Sequence, residues 1–247
     1  MKLKNEVVLL ITASINPVNT PKNVIADPKV RENQYVEAFK FYSLLGYPIV
    51  FIDSSNTISE NILAIGETLE NFEYHTFLSL YSYLGKGCGE KEIFDYGFEN
   101  SNLIKNTSRI IKITGRYKIK NLRDIIESIK FSNADVCVNF SYNTYWCDSR
   151  IIIFKPIFYS SYFKPNLEKY LEEKYLNMPF TSFFENVLSR SVHLLIADGG
   201  KYEPWPVYPF YSGVNGENGR EIEFDFLKRI KYRVYYRLKL WFMKQLV

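Results

Sequence analysis

The stretch Arg109-Ile110-Ile111-Lys112-Ile113-Thr114-Gly115-Arg116-Tyr117 holds the residues with the most chemistry to offer. In an extended chain Lys112, Thr114 and Arg116 project to one side, and Ile111 and Ile113 to the other. An inner strand of a parallel sheet is usually apolar on both faces, so a lysine here breaks the local pattern. Such departures concentrate at functional sites. Arginine matches anionic oxygens bidentately and lysine offers a point charge, so Lys112, Thr114, Gly115 and Arg116 suit the floor of an anion-binding cleft. The competing reading is that these cations pair with carboxylates of a neighbouring element. An unpaired buried lysine would cost several kcal/mol, so a partner must exist for Lys112 in either case.

Other clusters are less specific. Gly85-Lys86-Gly87-Cys88-Gly89-Glu90 reads as a flexible basic turn whose glycines permit close backbone approach and whose Lys86 supplies charge. Asp53 ends an apolar run. It is either a binding-site acid or a turn acid bonding its own backbone. Asp148 and Arg150 share a strand face. They form a mutual salt bridge, or else Asp148 is a lone metal ligand or binds hydroxyls. Tyr145 and Trp146 beside them make a sugar-stacking wall or a buried aromatic pair. Glu185 sits among apolar residues that raise a carboxyl pKa, unless it is an ordinary exposed helix acid. His193, between Val192 and Leu194, reads as a core histidine.

These residues need a scaffold, and the chain spells one out. Val7–Ala13 reads as a first buried strand ended by Ser14-Ile15-Asn16-Pro17. A loop over 18–30 leads to an amphipathic helix over 32–45 with Gly46 as its C-cap. Residues 47–53 form the second strand. Thr57 and Glu60 form a capping box for a helix reaching Phe72. A third strand follows over 74–80, a helix over 91–98, the strand at Arg109 and a helix over 121–131. This alternation predicts a largely parallel sheet covered on both faces. Residues 135–141 and 150–159 read as further strands, and 166–176 and 181–196 as helices. The segment 199–220, with five glycines and three prolines, reads as an irregular lid, and 221–247 as a terminal helix.

Composition narrows the class. Hydrophobic residues make up 47% and charged residues 23%, which is ordinary for a soluble globular protein. Cys88, Cys137 and Cys147 form no CxxC pair, and His75 and His193 are the only histidines, so no zinc-site pattern exists and the chain reads as reduced and cytoplasmic. No signal peptide or run of about 20 apolar residues is present. The net charge is +4, but seven cations follow Asp225 with no acid among them, which leaves residues 1–227 near −3. A nucleic-acid binder should be basic over its body, and this chain is not. Leu227, Ile230, Val234, Leu238 and Trp241 form a helical stripe within that basic tail. It suits an anionic membrane surface, or docking on the protein itself or on a second copy.

Taken in order, Ile11-Thr12-Ala13-Ser14-Ile15-Asn16-Pro17, Arg31-x-x-Gln34-Tyr35, Phe51-Ile52-Asp53-Ser54-Ser55-Asn56, Gly85–Glu90 and Lys112–Tyr117 resemble the GT-A class of nucleotide-sugar glycosyltransferases. They are most similar to bacterial enzymes of capsule and lipopolysaccharide gene clusters. The resemblance covers the N-terminal half. It implies a GT-A-like α/β/α sandwich with a mostly parallel central sheet, a nucleotide-sugar half over 1–132, an acceptor half over 133–220 and the basic helix after it, as one domain. It also implies that Thr12, Ala13 and Asn16 lie beside the nucleotide, that Asp53 accepts from base or ribose, and that Lys86 lies near the diphosphate.

Lys112–Tyr117 falls where the class commonly carries an Asp-x-Asp metal motif, and no acid pair stands there. The expectation is therefore transfer without a bound metal or other cofactor, with Arg116 and Lys112 as the fixed cations and Glu185 as the general base. Asp148 is held in reserve for catalysis, and Tyr145, Trp146 and Arg150 for a saccharide or lipid-linked acceptor. The expected place is the cytoplasm, at the inner membrane face if the basic helix binds lipid. The alternatives are a nucleotidyltransferase acting on sugar phosphates, which would want carboxylates for Mg²⁺, and a non-catalytic saccharide-binding protein.

Overall fold

The computed structural model describes residues 6–17, 20, 25–140, 144–174, 183–214, 219–223, 230 and 234. Strand β1 (Val7–Ala13) is buried along its whole length. Helix α1 (Pro28–Ser43) begins a turn earlier than the apolar periodicity suggests. Asp27 caps it by accepting from the Lys29 and Val30 amides, and Pro28 at the first helical position needs no amide partner. This early start brings Arg31 into the first turn. Strand β2 (Ile49–Asp53) follows the positive-φ Gly46.

Helix α2 (Glu60–Gly66) is capped by Ser59 rather than by a Thr57–Glu60 box. It stops six residues short of Phe72, which instead opens β3 (Phe72–Thr76). The Phe72 ring fills the space beside Gly66, where any Cβ would lie 1.9 Å from it.

Helix α3 (Lys86–Asn100) absorbs the glycine-rich segment as its first turn, which corrects the expectation of a flexible loop there. The glycines permit packing instead. A Cβ on Gly87 would stand 3.0 Å from the Phe184 Cβ, so glycine there lets α3 approach that neighbour without displacing it. The short α4 (Asn102–Lys105) leads to β4 (Arg109–Thr114), β5 (Tyr117–Ile119) and α5 (Leu122–Ile129).

In the second half the strands are shorter than the apolar runs, β6 covering Val136–Cys137 and β7 covering Ile151–Phe154. Pro156 opens α6 (Pro156–Phe158), which continues through a wide turn into α7 (Lys164–Lys174); α8 spans Phe183–Ala197. Two short strands, β8 (Tyr202–Glu203) and β9 (Tyr211–Val214), fall within the segment expected to be an irregular lid, and Trp205 between them is buried. Glu221–Ile222 is strand β10 and not the start of a helix. Most of the remaining tail lies outside the described residues, and of its stripe only Ile230 and Val234 are described, both exposed.

The main sheet has seven strands in the order β3-β2-β1-β4-β7-β6-β8. The first four run parallel, and β7 is antiparallel to both β4 and β6. A second sheet, β10-β9-β5, is antiparallel. Alternation along β1 sends Leu9 and Ile11 to a core beneath α1, α2 and α5, and Val8 and Leu10 to a core beneath α3, α7 and α8. Each such fully buried aliphatic side chain stabilises the fold by roughly 1.5–3 kcal/mol. Among the described residues no helix is long and apolar enough to cross a membrane.

One side chain ties helix α1 to the second sheet. Tyr42 of α1 is fully buried; its hydroxyl donates to the Tyr117 carbonyl at 2.6 Å and accepts from the Ile119 amide at 3.0 Å. Tyr42→Phe leaves both backbone groups of β5 unsatisfied in an apolar setting. The expected loss is about 1–3 kcal/mol, read by urea unfolding, with faster hydrogen exchange at the Ile119 amide.

Candidate functional site

Strand order reverses at the β1–β4 pair: the chain leaves β1 for β2 on one side and returns to β4 on the other. Ligands of open α/β sheets sit outside the carboxyl ends of strands at such a point. Here the register sets Thr12 beside Thr114. A cleft of about 110 Å³ opens above them, and its walls include Thr12, Ala13, Arg31, Lys86, Glu90 and Arg116. A serine-rich extension of about 300 Å³ continues from it past Ser14, Asn16, Ser55 and Tyr83.

The cations of the opening stretch divide. Lys112 faces the helical layer, and its side chain is 1% exposed. Its ammonium meets Glu90 Oε1 of α3 at 2.5 Å, the Ser149 carbonyl at 2.6 Å and Thr114 Oγ1 at 3.1 Å. Those contacts use all three donors of the ammonium, so Lys112 offers none to a ligand. Its assignment to the donor site is corrected to a buried support for Glu90.

Arg116, past the end of β4, is the opposite case. Gly115 makes its placement possible, because a Cβ there would lie 2.8 Å from the Thr12 carbonyl oxygen. Arg116 is 9% exposed, lines the cleft and ion-pairs with no described residue, and its Nε and Nη1 are buried without a hydrogen-bond partner. Buried polar groups are nearly always satisfied, so these donors on a cleft-lining residue are left for solvent or a ligand to answer.

Arg31 stands nearby on α1. Its guanidinium donates to the Ser14 carbonyl from Nε at 2.8 Å and to the Ile25 carbonyl from Nη1 at 3.2 Å. No described carboxylate pairs with it. Burial lowers its pKa; Tyr35 opposes the shift, and the like charge of Arg116 adds to it. Two guanidiniums thus share one cleft with no acid set directly against either. Sequence reading missed Arg31 and Glu90 as site residues. The signals were the Arg31/Tyr35 spacing of one helical turn and the buried lysine that required an acid partner.

Asp53 is the second correction. It is fully buried at the end of β2. Oδ2 accepts from the Ile15 amide at 2.7 Å, and Oδ1 from the Ser55 amide at 2.8 Å and the Thr57 amide at 3.2 Å. It organises the loops after β1 and β2, and both of its oxygens are already engaged by them. Asn16 is held by its amide on Ser55 Oγ and lines the extension. Lys86, in the first turn of α3, lines the cleft.

The second-half candidates do not join this cleft. Asp148 and Arg150 form the mutual salt bridge, Nη2 to Oδ2 at 2.5 Å, and Arg150 stacks over the Tyr211 ring at 4.1 Å. Tyr145 is exposed, Trp146 half-buried, and neither lines the cleft or its extension. Glu185 lies behind the cleft wall and accepts from Ser149 Oγ at 2.7 Å. Burial raises its pKa; the Ser149 hydrogen bond and the Lys112 charge oppose the shift, and Glu90 adds to it. His193 stacks on Phe140 at 5.0 Å and is exposed rather than in the core.

A divalent cation prefers several oxygen ligands. Among the described residues lining the cleft only Glu90 carries a carboxylate, and it already pairs with Lys112. Among the described residues no group of three or more His, Cys, Asp or Glu could hold a metal.

No protein-family model matches the chain, and no curated protein matches it in sequence. Solved structures do match in fold. Core-mannan synthase A from Aspergillus fumigatus, in its manganese and GDP form, aligns over 83% of this chain and 75% of its own at 9% identity and a TM-score of 0.50. A glycosyltransferase that glycosylates the major capsid of PBCV-1 aligns over 80% of each chain at 10% identity and a TM-score of 0.47. A cytidylyltransferase from Leptospira borgpetersenii aligns over 95% of this chain and 96% of its own at 13% identity and a TM-score of 0.45. At such identities the likeness concerns the fold, which is mixed α/β and GT-A-like.

Glu185 generates a pH prediction. Its folded pKa is raised, so the folded state holds the proton more tightly, and stability falls as pH rises from the ordinary glutamate range through the raised value. Glu185→Gln keeps the oxygen that Ser149 bonds and removes the ionisation. The variant should be more stable than the wild type at pH 7, with the gap closing towards pH 4, read as thermal midpoints across pH. A gap that widens on acidification would contradict the assignment.

Proposed function

We propose that the chain transfers a sugar from a nucleotide-sugar donor to a saccharide acceptor. In this reading the diphosphate sits between Arg116 and Arg31, over Thr12 and Thr114. The observation that carries it is the orphaned guanidinium of Arg116, buried on the wall of a cleft at the strand-order reversal of a GT-A-like sheet. Leaving two buried donors unsatisfied costs about 1–3 kcal/mol each. An anion with oxygens on adjacent centres, such as a diphosphate, answers them bidentately. Lys86 adds charge from the first turn of α3, where the helix N-terminus also favours an anion.

The chemistry follows from the charge. A departing nucleoside diphosphate gains negative charge as the glycosidic bond breaks, and fixed cations aimed at that charge lower the barrier. Arg31 supplies it from a position fixed by the Ser14 and Ile25 carbonyls, and Arg116 supplies it from the cleft wall. The donor set fits this role better than metal coordination, so we infer transfer that does not depend on a divalent ion. Ala13 on the cleft wall has a short side chain that leaves room for the ligand.

Arg116→Ala should abolish stabilisation by nucleoside diphosphates in thermal-shift screening against UDP, GDP, CDP and dTDP. Binding should weaken at least about a hundredfold, because charged bidentate bonds are lost. The unliganded fold should be unchanged, since Nε and Nη1 have no hydrogen-bond partner to lose. Arg116→Lys should recover part of the charge but not the fork geometry. Undiminished nucleotide binding by a folded Arg116→Ala variant would remove the diphosphate from this cleft.

Sugar transfer, assayed as release of the nucleoside diphosphate, should survive EDTA. Loss of activity restored by Mn²⁺ would overturn the metal-independent reading.

A further inference from the structure

The cleft is built for an anion, yet one of its walls carries an acid. Glu90, on the first turns of α3, is the only carboxylate among the described residues that line the cleft, and the serine-rich extension has none. Its two oxygens differ. Oε1 accepts from Thr12 Oγ1 at 2.9 Å and meets the Lys112 ammonium at 2.5 Å, which fixes the carboxylate against β1 and β4. Oε2 accepts no hydrogen bond from any described residue, and the side chain remains 21% exposed at the cleft wall.

A carboxylate is acceptor-only, so whatever meets Oε2 must donate. It shares the cleft with Arg31, Lys86 and Arg116, so the ligand must combine an anionic part with neutral donors a short distance away. Phosphate oxygens fail at Glu90 by charge repulsion. Hydroxyl groups of a sugar ring fit, and two vicinal hydroxyls offer a carboxylate a charge-assisted bond that one hydroxyl cannot match. The residue expected to do this, Asp53, is fully buried with both oxygens engaged.

We propose that Glu90 is the specificity-determining acid of this site. It reads a vicinal diol on the ligand whose diphosphate Arg116 and Arg31 hold, and Lys112 positions it. This inference rests on the nucleotide-sugar reading of the cleft. The diol comes either from the ribose of the nucleotide or from the sugar it carries, and both present the same chemistry.

The test removes hydroxyls from the ligand, which leaves the protein intact. Calorimetry on the wild-type chain compares a ribonucleoside diphosphate with its 2′-deoxy and 3′-deoxy forms, and the matching nucleotide-glucose with its 2-deoxyglucose analogue. A loss of about ten- to a hundredfold is expected in one of the two comparisons, as for a hydrogen bond to a charged group. The comparison that shows it names the source of the diol.

In Glu90→Gln that discrimination should shrink severalfold, while the diphosphate contribution remains. Glu90→Gln leaves Lys112 without its counter-charge, so the double variant Glu90→Gln/Lys112→Met, which removes both buried charges, serves if the single one fails to fold. Equal binding of all hydroxyl and deoxy forms by the wild type overturns this inference and leaves the diphosphate site standing. Failure of every nucleoside diphosphate to bind overturns the transferase reading and this one with it.

Discussion

The ion pair between Lys112 of β4 and Glu90 of α3 is the interaction on which the site's geometry depends. It joins the middle of the sheet to the helical layer above it, and through Thr12 Oγ1 and the Ser149 carbonyl it also engages β1 and the approach to β7. Burying two charges carries a large desolvation penalty that their attraction offsets only when every remaining donor finds a partner. Lys112 meets that condition, with three acceptors for three donors. The consequence is positional: α3 cannot rotate or slide on the sheet without breaking the pair. The close approach of Gly87 to Phe184 on α8 restrains the same helix from another side.

With Lys112 neutralised internally, the distribution of charge around the cleft becomes selective. Arg150 is paired with Asp148 and stacked on Tyr211, so its charge is answered within the protein. Arg116 and Arg31 have no such carboxylate among the described residues, and both border the cleft. Within a partly buried cleft these uncompensated charges act at lower effective dielectric than in bulk water, which strengthens their attraction for an anion. The loops that shape the cleft are held by a different acid. Asp53 gathers the Ile15, Ser55 and Thr57 amides, so the ends of β1 and β2 are rigid before any ligand arrives.

The resulting division of labour runs across the sheet. The parallel strands β1, β2 and β4 supply the cleft floor, α1 and α3 bring Arg31 and Glu90 to its walls, and Tyr42 links α1 to the second sheet. The antiparallel half, with Asp148, Arg150 and Glu185, forms a separately satisfied network behind it. Ser149 connects the two, because its carbonyl meets Lys112 and its hydroxyl meets Glu185.

The sequence alone determined the α/β class, the order of the first four strands and their helices, and the cation-bearing face of β4. Those features are encoded locally, in runs of Ile and Val, in helical periodicity and in alternation along one strand. It also required that a buried Lys112 have an acid partner, without saying which acid. Only the tertiary structure decided that the partner is Glu90, that Asp53 faces inward, that Gly87 serves helix packing, and that Arg116 rather than Lys112 has donors without a partner. Each of those outcomes depends on which side chains meet across elements distant in sequence. A strand pattern fixes the face a residue occupies, whereas the charge set opposite that face comes from how the neighbouring helix packs.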